Sequence, residues 1–221
     1  MTTPAVDHVL RRPSPIDPAP DAWAVVGAGT RGEVAIRALR SAGIPVVGYD
    51  VSTVAGGSSD SHIMPGHEVI DIEEIDDVDA LGVTSRDLAS GIITTDYFAG
   101  VVVATGHLEA GVELGFLDDE MLNMHAGRPR LAREIFTPHH PALILLGVAG
   151  GYLDSLDQES RVIARYAALL RDNPRAALAY HRHACLALLD SLAIEQHPDR
   201  GDVSEEQRRG LLAADLLELG A

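Results

Sequence analysis

Short runs in which every residue is apolar alternate with amphipathic stretches along this chain. That is the pattern of a parallel sheet buried on both faces and covered by helices. The first run, Trp23 to Val26, stops at Gly27 and suits a buried strand followed by a sharp turn. Residues Arg31 to Ser41 read as a helix closed by Gly43, and "IPVVGYD" supplies a second strand ending at Asp50. Strand, turn, helix and strand in that order predict a right-handed βαβ unit. Two further apolar runs, "AGVVVATG" (Ala99 to Gly106) and "PALILLGVAGG" (Pro141 to Gly151), each end in a glycine turn and add two strands to the sheet.

Between these runs the pattern weakens. "HEVIDIEEI" and "SGIITTDYF" have β character, and the acidic run from Asp71 to Asp79 is expected to form a solvated loop or an edge strand. Beyond the last strand, Ser155 with Gln158 forms a capping box for a helix to about Arg171. Pro174 suits the first turn of a second helix reaching about Ala193. Ser204 with Gln207 would cap a third, in which Leu211, Leu212, Leu216 and Leu217 recur at helical spacing. Four prolines between Pro13 and Pro20 make residues 1–21 an extended lead-in, leaving a compact domain over 22–172 and a helical extension over 173–221.

Charge narrows the partners. Lys and Arg total 17 against 33 Asp and Glu, a formal charge of −16, so most of the surface would repel a phosphate backbone and nucleic acid is not an expected partner. No apolar run is long enough to span a bilayer, and no apolar core marks the N-terminus as a secretory signal, so no membrane association is expected. The lone cysteine, Cys185, cannot form an intramolecular disulfide and reads as an inert, partly buried thiol in a reducing, cytoplasmic setting.

Gly27, Gly29 and Gly32, with Ala28 between the first two, spell G-x-G-x-x-G between a strand and a helix, the context in which this pattern carries information. Gly27 permits the turn, Gly29 lets backbone N–H groups approach a pyrophosphate, and Gly32 lets the helix lie against the sheet. Asp50, at the end of the second strand, is placed to accept hydrogen bonds from an adenosine ribose, which disfavours a 2′-phosphate. The helix N-terminus adds a favourable field for an anion. Arg31 and Glu33, in its first turn, are expected to face solvent. The expected fold class is α/β: a Rossmann-like FAD/NAD(P)-binding three-layer fold with a parallel sheet, plus C-terminal helices.

Three segments together resemble the flavin-containing monooxygenases and their Baeyer–Villiger relatives. "VVGAGTRGEVAIRALRSAGIPVVGYDVSTVAGG" is similar to the family's FAD fingerprint, including the paired glycines Gly56 and Gly57. "DYFAGVVVATGHLEAGVELGFLDDEML" is similar to its strand and "ATG" turn at Ala104, Thr105 and Gly106. "RPRLAREIFTPHHPALILLGVAGG" with "ESRVIARYAALL" is similar to the segment that returns to the FAD domain. The resemblance implies that Gly27, Gly29, Gly32 and Asp50 hold the ADP half of FAD, with Gly57 and the Thr105–Gly106 turn near the dinucleotide.

The family carries a second glycine fingerprint in an inserted NADPH domain. Here residues 58–97 stand in that place, without a second fingerprint and without the tryptophan that often follows the family's paired glycines. The chain is thus expected to be a truncated relative without its own NADPH site. What this implies is a compact FAD-binding, monooxygenase-like tailoring oxidoreductase for a small organic molecule in biosynthesis, with reduced flavin made elsewhere or an electron-transfer or substrate-assisted step in its place. The alternatives are a cyclase or isomerase on a repurposed fold, or a non-catalytic partner subunit.

Of the histidines, His107 follows the "ATG" turn at the carboxyl end of a strand and is the candidate general acid or base. His139 and His140 diverge in a "PHHP" turn and offer no metal site. His181 and His183 are two apart on a helix, hence on different faces, and are expected at a solvated surface. The serine, aspartate and histidine in "SSDSH" (Ser58–His62) are adjacent in sequence, which is no sign of a triad in space. "LALLDSL" and "LLAADLLEL" carry enough apolar surface for packing on the sheet, or for a homodimer through the C-terminal helices; a partner reductase is the other expected association.

Overall fold

A computed structural model describes residues 18–53, 62–75, 80–106, 114–125, 128–147, 153–194, 213–214 and 217–219. The βαβ unit forms as expected: β1 (Trp23–Val26), α1 (Thr30–Ser41) and β2 (Val46–Asp50). A short β3 (Ile63–Pro65) extends the sheet, and Gly66 then turns the chain into β4 (His67–Ile75), β5 (Ala80–Asp87) and β6 (Ile93–Phe98). The chain re-enters the sheet through β7 (Gly100–Val103). It continues through α2 (Asp119–Leu122), β8 (Met124–His125), β9 (Arg128–Pro129) and β10 (Leu143–Leu145) to α3 (Leu153–Asp172) and α4 (Pro174–Ile194).

The central sheet has the order β10-β7-β1-β2-β3, and every pair is parallel. Its side chains divide by the strand period of two. Trp23, Val25, Val46, Val102 and Ile144 face α1, α3 and α4. Ala24, Val26, Val47, Tyr49, Val101, Val103, Leu143 and Leu145 face an antiparallel sheet of order β4-β5-β6, where Val69, Ile72, Leu81, Val83 and Phe98 meet them. The three layers are therefore sheet, sheet and helices, an α/β Rossmann-like fold with C-terminal helices.

Helix α1 buries Gly32, Ala35, Ile36 and Leu39, spaced three and four apart along one face. On the helical side Phe136 stacks edge-on against Tyr166, Tyr180 and His181, locking the chain before β10 to α3 and α4.

The acidic run forms an edge strand, β4, as far as Ile75, one of its two expected forms, and residues 76–79 lie outside the described residues. Three other expectations change. Helix α3 begins at Leu153, so Ser155 is inside it and is not its cap. His181 is buried, because it shares the inward face of α4 with Ala177, Ala184 and Cys185; only His183 is exposed. Arg31 does not face solvent, for a reason given below. Of the third C-terminal helix only residues 213–214 and 217–218 are described, as helix. Cys185 is buried, as expected. No helix among the described residues is long and apolar enough to cross a membrane.

Candidate functional site

Three carboxyl strand ends meet at one place. β1 is flanked by β2 on one side and β7 on the other, and connections leave in opposite directions from this point, which opens a crevice at the edge of the sheet. A cleft of about 440 Å³ lies there, lined by Gly27, Gly29 and Arg31 from the glycine turn, Asp50 and Val51 from β2, and Thr105 and Gly106 after β7. Its size falls within the range of small-molecule sites.

The glycines divide the labour. Gly27 adopts φ +87°, and a Cβ there would lie 2.8 Å from the Thr105 Cα, so the turn must pass hard against the chain leaving β7. The Gly27 and Ala28 N–H groups both donate to the Tyr49 carbonyl, at 2.9 and 3.1 Å, which ties the turn to β2. A Cβ on Gly32 would lie 2.1 Å from the Gly27 carbonyl oxygen, so the helix start rests directly on the turn. Gly29 differs: a Cβ there would have nothing within 4 Å. It is the N-cap of α1, in extended conformation, and supplies no side chain to the first-turn N–H groups. Gly29, Thr30 and Arg31 line the cleft, where an anion would satisfy donors of the helix start.

Arg31 is held across the crevice, its guanidinium donating to the Gly147 carbonyl at 3.0 Å. A cation in the first turn is thereby placed at the cleft wall, contrary to the expectation for this residue. Opposite, one oxygen of the Asp50 carboxylate accepts the Ser52 N–H at 2.8 Å, which fixes the side chain at the end of β2. Beneath it, the Tyr49 hydroxyl donates to the buried Asp96 carboxylate at 3.0 Å, pinning the antiparallel sheet to β2. Burial, then the charge of Asp96, pushes the Tyr49 phenol far above its usual range, so it remains a protonated donor.

Of the residues singled out from the sequence, Gly27, Gly29, Asp50, Thr105 and Gly106 line the cleft, and Ala28 and Gly32 lie in the turn and helix start behind it. His107 and Gly57 lie outside the described residues, as do 54–61 and 148–152. Sequence reasoning missed Tyr49, His67, Val69 and Phe116, which also line the cleft. For His67 the signal was present in Gly66, a turn that folds β4 back beside the end of β2.

A larger cavity, about 570 Å³, opens at the opposite edge, where Trp23, Ala99, Ala142 and Leu170 line the amino ends of the strands. Parallel sheets bind at their carboxyl ends. The cavity's cation, Arg171, is already engaged with the Gly43 carbonyl and Asp172, and no glycine lines the cavity among the described residues. The glycine crevice is the functional candidate.

The same architecture occurs in solved structures. Tmm from Pelagibacter sp. strain HTCC7211 superposes with a TM-score of 0.60 at 11% identity, covering 90% of this chain and 85% of that one. The S-allyl-L-cysteine S-oxygenase of Allium sativum gives 0.53 at 9% identity, over 89% of this chain and 98% of the other. The likeness is one of fold. Cyclohexanone monooxygenase matches only in part, with a TM-score of 0.33 and 21% identity over 40% of this chain and 27% of its own. No family model matches the chain, and no curated protein matches it in sequence.

Proposed function

We propose that the glycine crevice binds FAD through its ADP half, and that the protein is a compact flavin-dependent oxidoreductase of the oxygenase type acting on a small organic molecule. The observation that carries this reading is Gly29: open space over an uncapped helix start, with a carboxylate across the cleft. The S-oxygenase among the fold relatives supports the oxygen-transfer part.

The first-turn N–H groups of α1 and the Arg31 guanidinium would neutralise the pyrophosphate. Asp50 would accept from the ribose hydroxyls and repel a 2′-phosphate. Thr105 and Gly106, at φ +111°, form the wall on the β7 side and leave room for the chain of the dinucleotide. When bound, FAD would supply the electron-transfer chemistry, and the residues described here hold and orient it. Reducing equivalents would come from a separate reductase.

The test is the visible spectrum of the purified full chain, with mass analysis of what denaturation releases. Stoichiometric FAD is the expected result. A colourless protein that also fails to take up added FAD would overturn the reading in favour of a cyclase, isomerase or partner subunit on the same fold.

A further inference from the structure

The far end of the crevice is an apolar slot with one polar edge. Beyond Asp50, the walls are Val51, Val69 and Phe116. Val51 is 60% exposed, and a flat ring laid against it would cover it. Phe116 is fixed by its own backbone, since its carbonyl accepts the Ile72 N–H at 2.9 Å.

His67 also lines the cleft, and its ring makes a hydrogen bond to the chain beside it. Its Nδ1 lies 3.1 Å from the Pro65 carbonyl oxygen, which only accepts, so Nδ1 carries the proton and donates. In the neutral ring, Nε2 is left with a bare lone pair. The position is built, not accidental: Pro65 lies opposite Asp50 in the β2–β3 register, and Gly66, at φ +70°, turns the chain. The Gly66 N–H donates to the Ser52 carbonyl, and its own carbonyl accepts the Leu88 N–H. Both polar groups at this end, the Asp50 carboxylate and His67 Nε2, are therefore acceptors.

We infer that His67 is a base-specificity residue that accepts a hydrogen bond from the exocyclic amine of adenine, so that the site selects adenine nucleotides over those with a carbonyl at the same ring position. This rests on the dinucleotide reading of the crevice. Adenine brings a donor to the acceptor edge; hypoxanthine brings an oxygen lone pair, which leaves Nε2 unsatisfied and opposed.

The experiment is titration calorimetry of the full chain, freed of bound nucleotide, with ADP and with IDP, for wild type and His67→Ala. Wild type should bind ADP roughly tenfold to a hundredfold more tightly than IDP. In His67→Ala the two affinities should converge, chiefly through weaker ADP binding, at an unchanged thermal midpoint. Equal affinity of wild type for ADP and IDP, or a preference that survives in His67→Ala, overturns the inference and leaves the dinucleotide site standing. Failure of wild type to bind ADP, IDP or FAD overturns the site itself.

Discussion

Gly29 and Gly32 belong to one motif, yet their surroundings predict opposite consequences when each becomes alanine. At Gly29 the new methyl meets nothing within 4 Å and the backbone is extended, at φ −68°, a conformation any residue adopts. Alanine is a poorer N-cap than glycine, so Gly29→Ala should cost no more than about 1 kcal/mol, a fall of about 2–4 °C at this chain length. The methyl does, however, fill the place where phosphate oxygens would approach the helix start, and affinity for FAD or ADP should drop at least about tenfold. At Gly32 the methyl would lie 2.1 Å from the Gly27 carbonyl oxygen, a backbone atom that must be displaced by about 1 Å. Overpacking of that kind costs about 1–3 kcal/mol or more, and because Gly27 is bonded to Tyr49 the displacement reaches the glycine crevice as well. Gly32→Ala should therefore lose several degrees of thermal midpoint and affinity together. Calorimetric melts and FAD titration of both variants separate the two effects. Equal destabilisation by the two substitutions, or full nucleotide affinity in Gly29→Ala, would refute the assignment of space at the helix start.

Two further outcomes concern the layers around the site. Tyr49→Phe removes the hydroxyl that donates to the buried Asp96 carboxylate and should cost about 1–3 kcal/mol, seen as a lower urea midpoint at unchanged slope; an unaltered midpoint would show that the bond between the sheets contributes nothing. Burial holds the His181 imidazole below its usual range, against the opposing effect of its bond to the Thr137 carbonyl at 2.8 Å. The unfolded chain thus takes up a proton near pH 6.5 that the folded chain resists, so this stability is present above about pH 6.5 and is lost as pH falls toward the folded-state value. His181→Phe should flatten the acid limb of the unfolding free energy against pH by at most about 1.4 kcal/mol per pH unit, measured by urea titration; an unchanged limb would place the proton uptake elsewhere.

The parallel sheet was legible because its strands are buried on both faces and so read as unbroken apolar runs. Trp23–Val26, Val101–Val103 and Leu143–Leu145 are all of this kind, and the glycine motif fell where its strand ended. The antiparallel sheet was harder. Its outer face is solvated, so only alternate residues carry the signal, and the register shift between Val69 and Asp71 in β4 breaks the alternation in mid-strand. His67 was harder to place for a related reason: Gly66 marks the turn, but a turn and a change of sheet, not spacing, bring the residue to the cleft that Asp50 lines. His181 was open to a better reading, since Ala177, Ala184 and Cys185 lie on its own side of the helix.

The strand order also bears on how the chain assembles. β1 finds β2 across one short helix, but its other neighbour, β7, begins only at Gly100, and β7 in turn waits for Leu143 before its far edge is paired. During synthesis the central strand of the sheet therefore emerges first and is half-partnered longest. Such non-local pairing slows folding and leaves apolar backbone edges exposed to other chains. The β1–α1–β2 unit, closed by local contacts and tied by the Gly27 and Ala28 bonds to Tyr49, is the natural nucleus. The turn that would later receive a phosphate is thus among the first parts of the molecule to take shape.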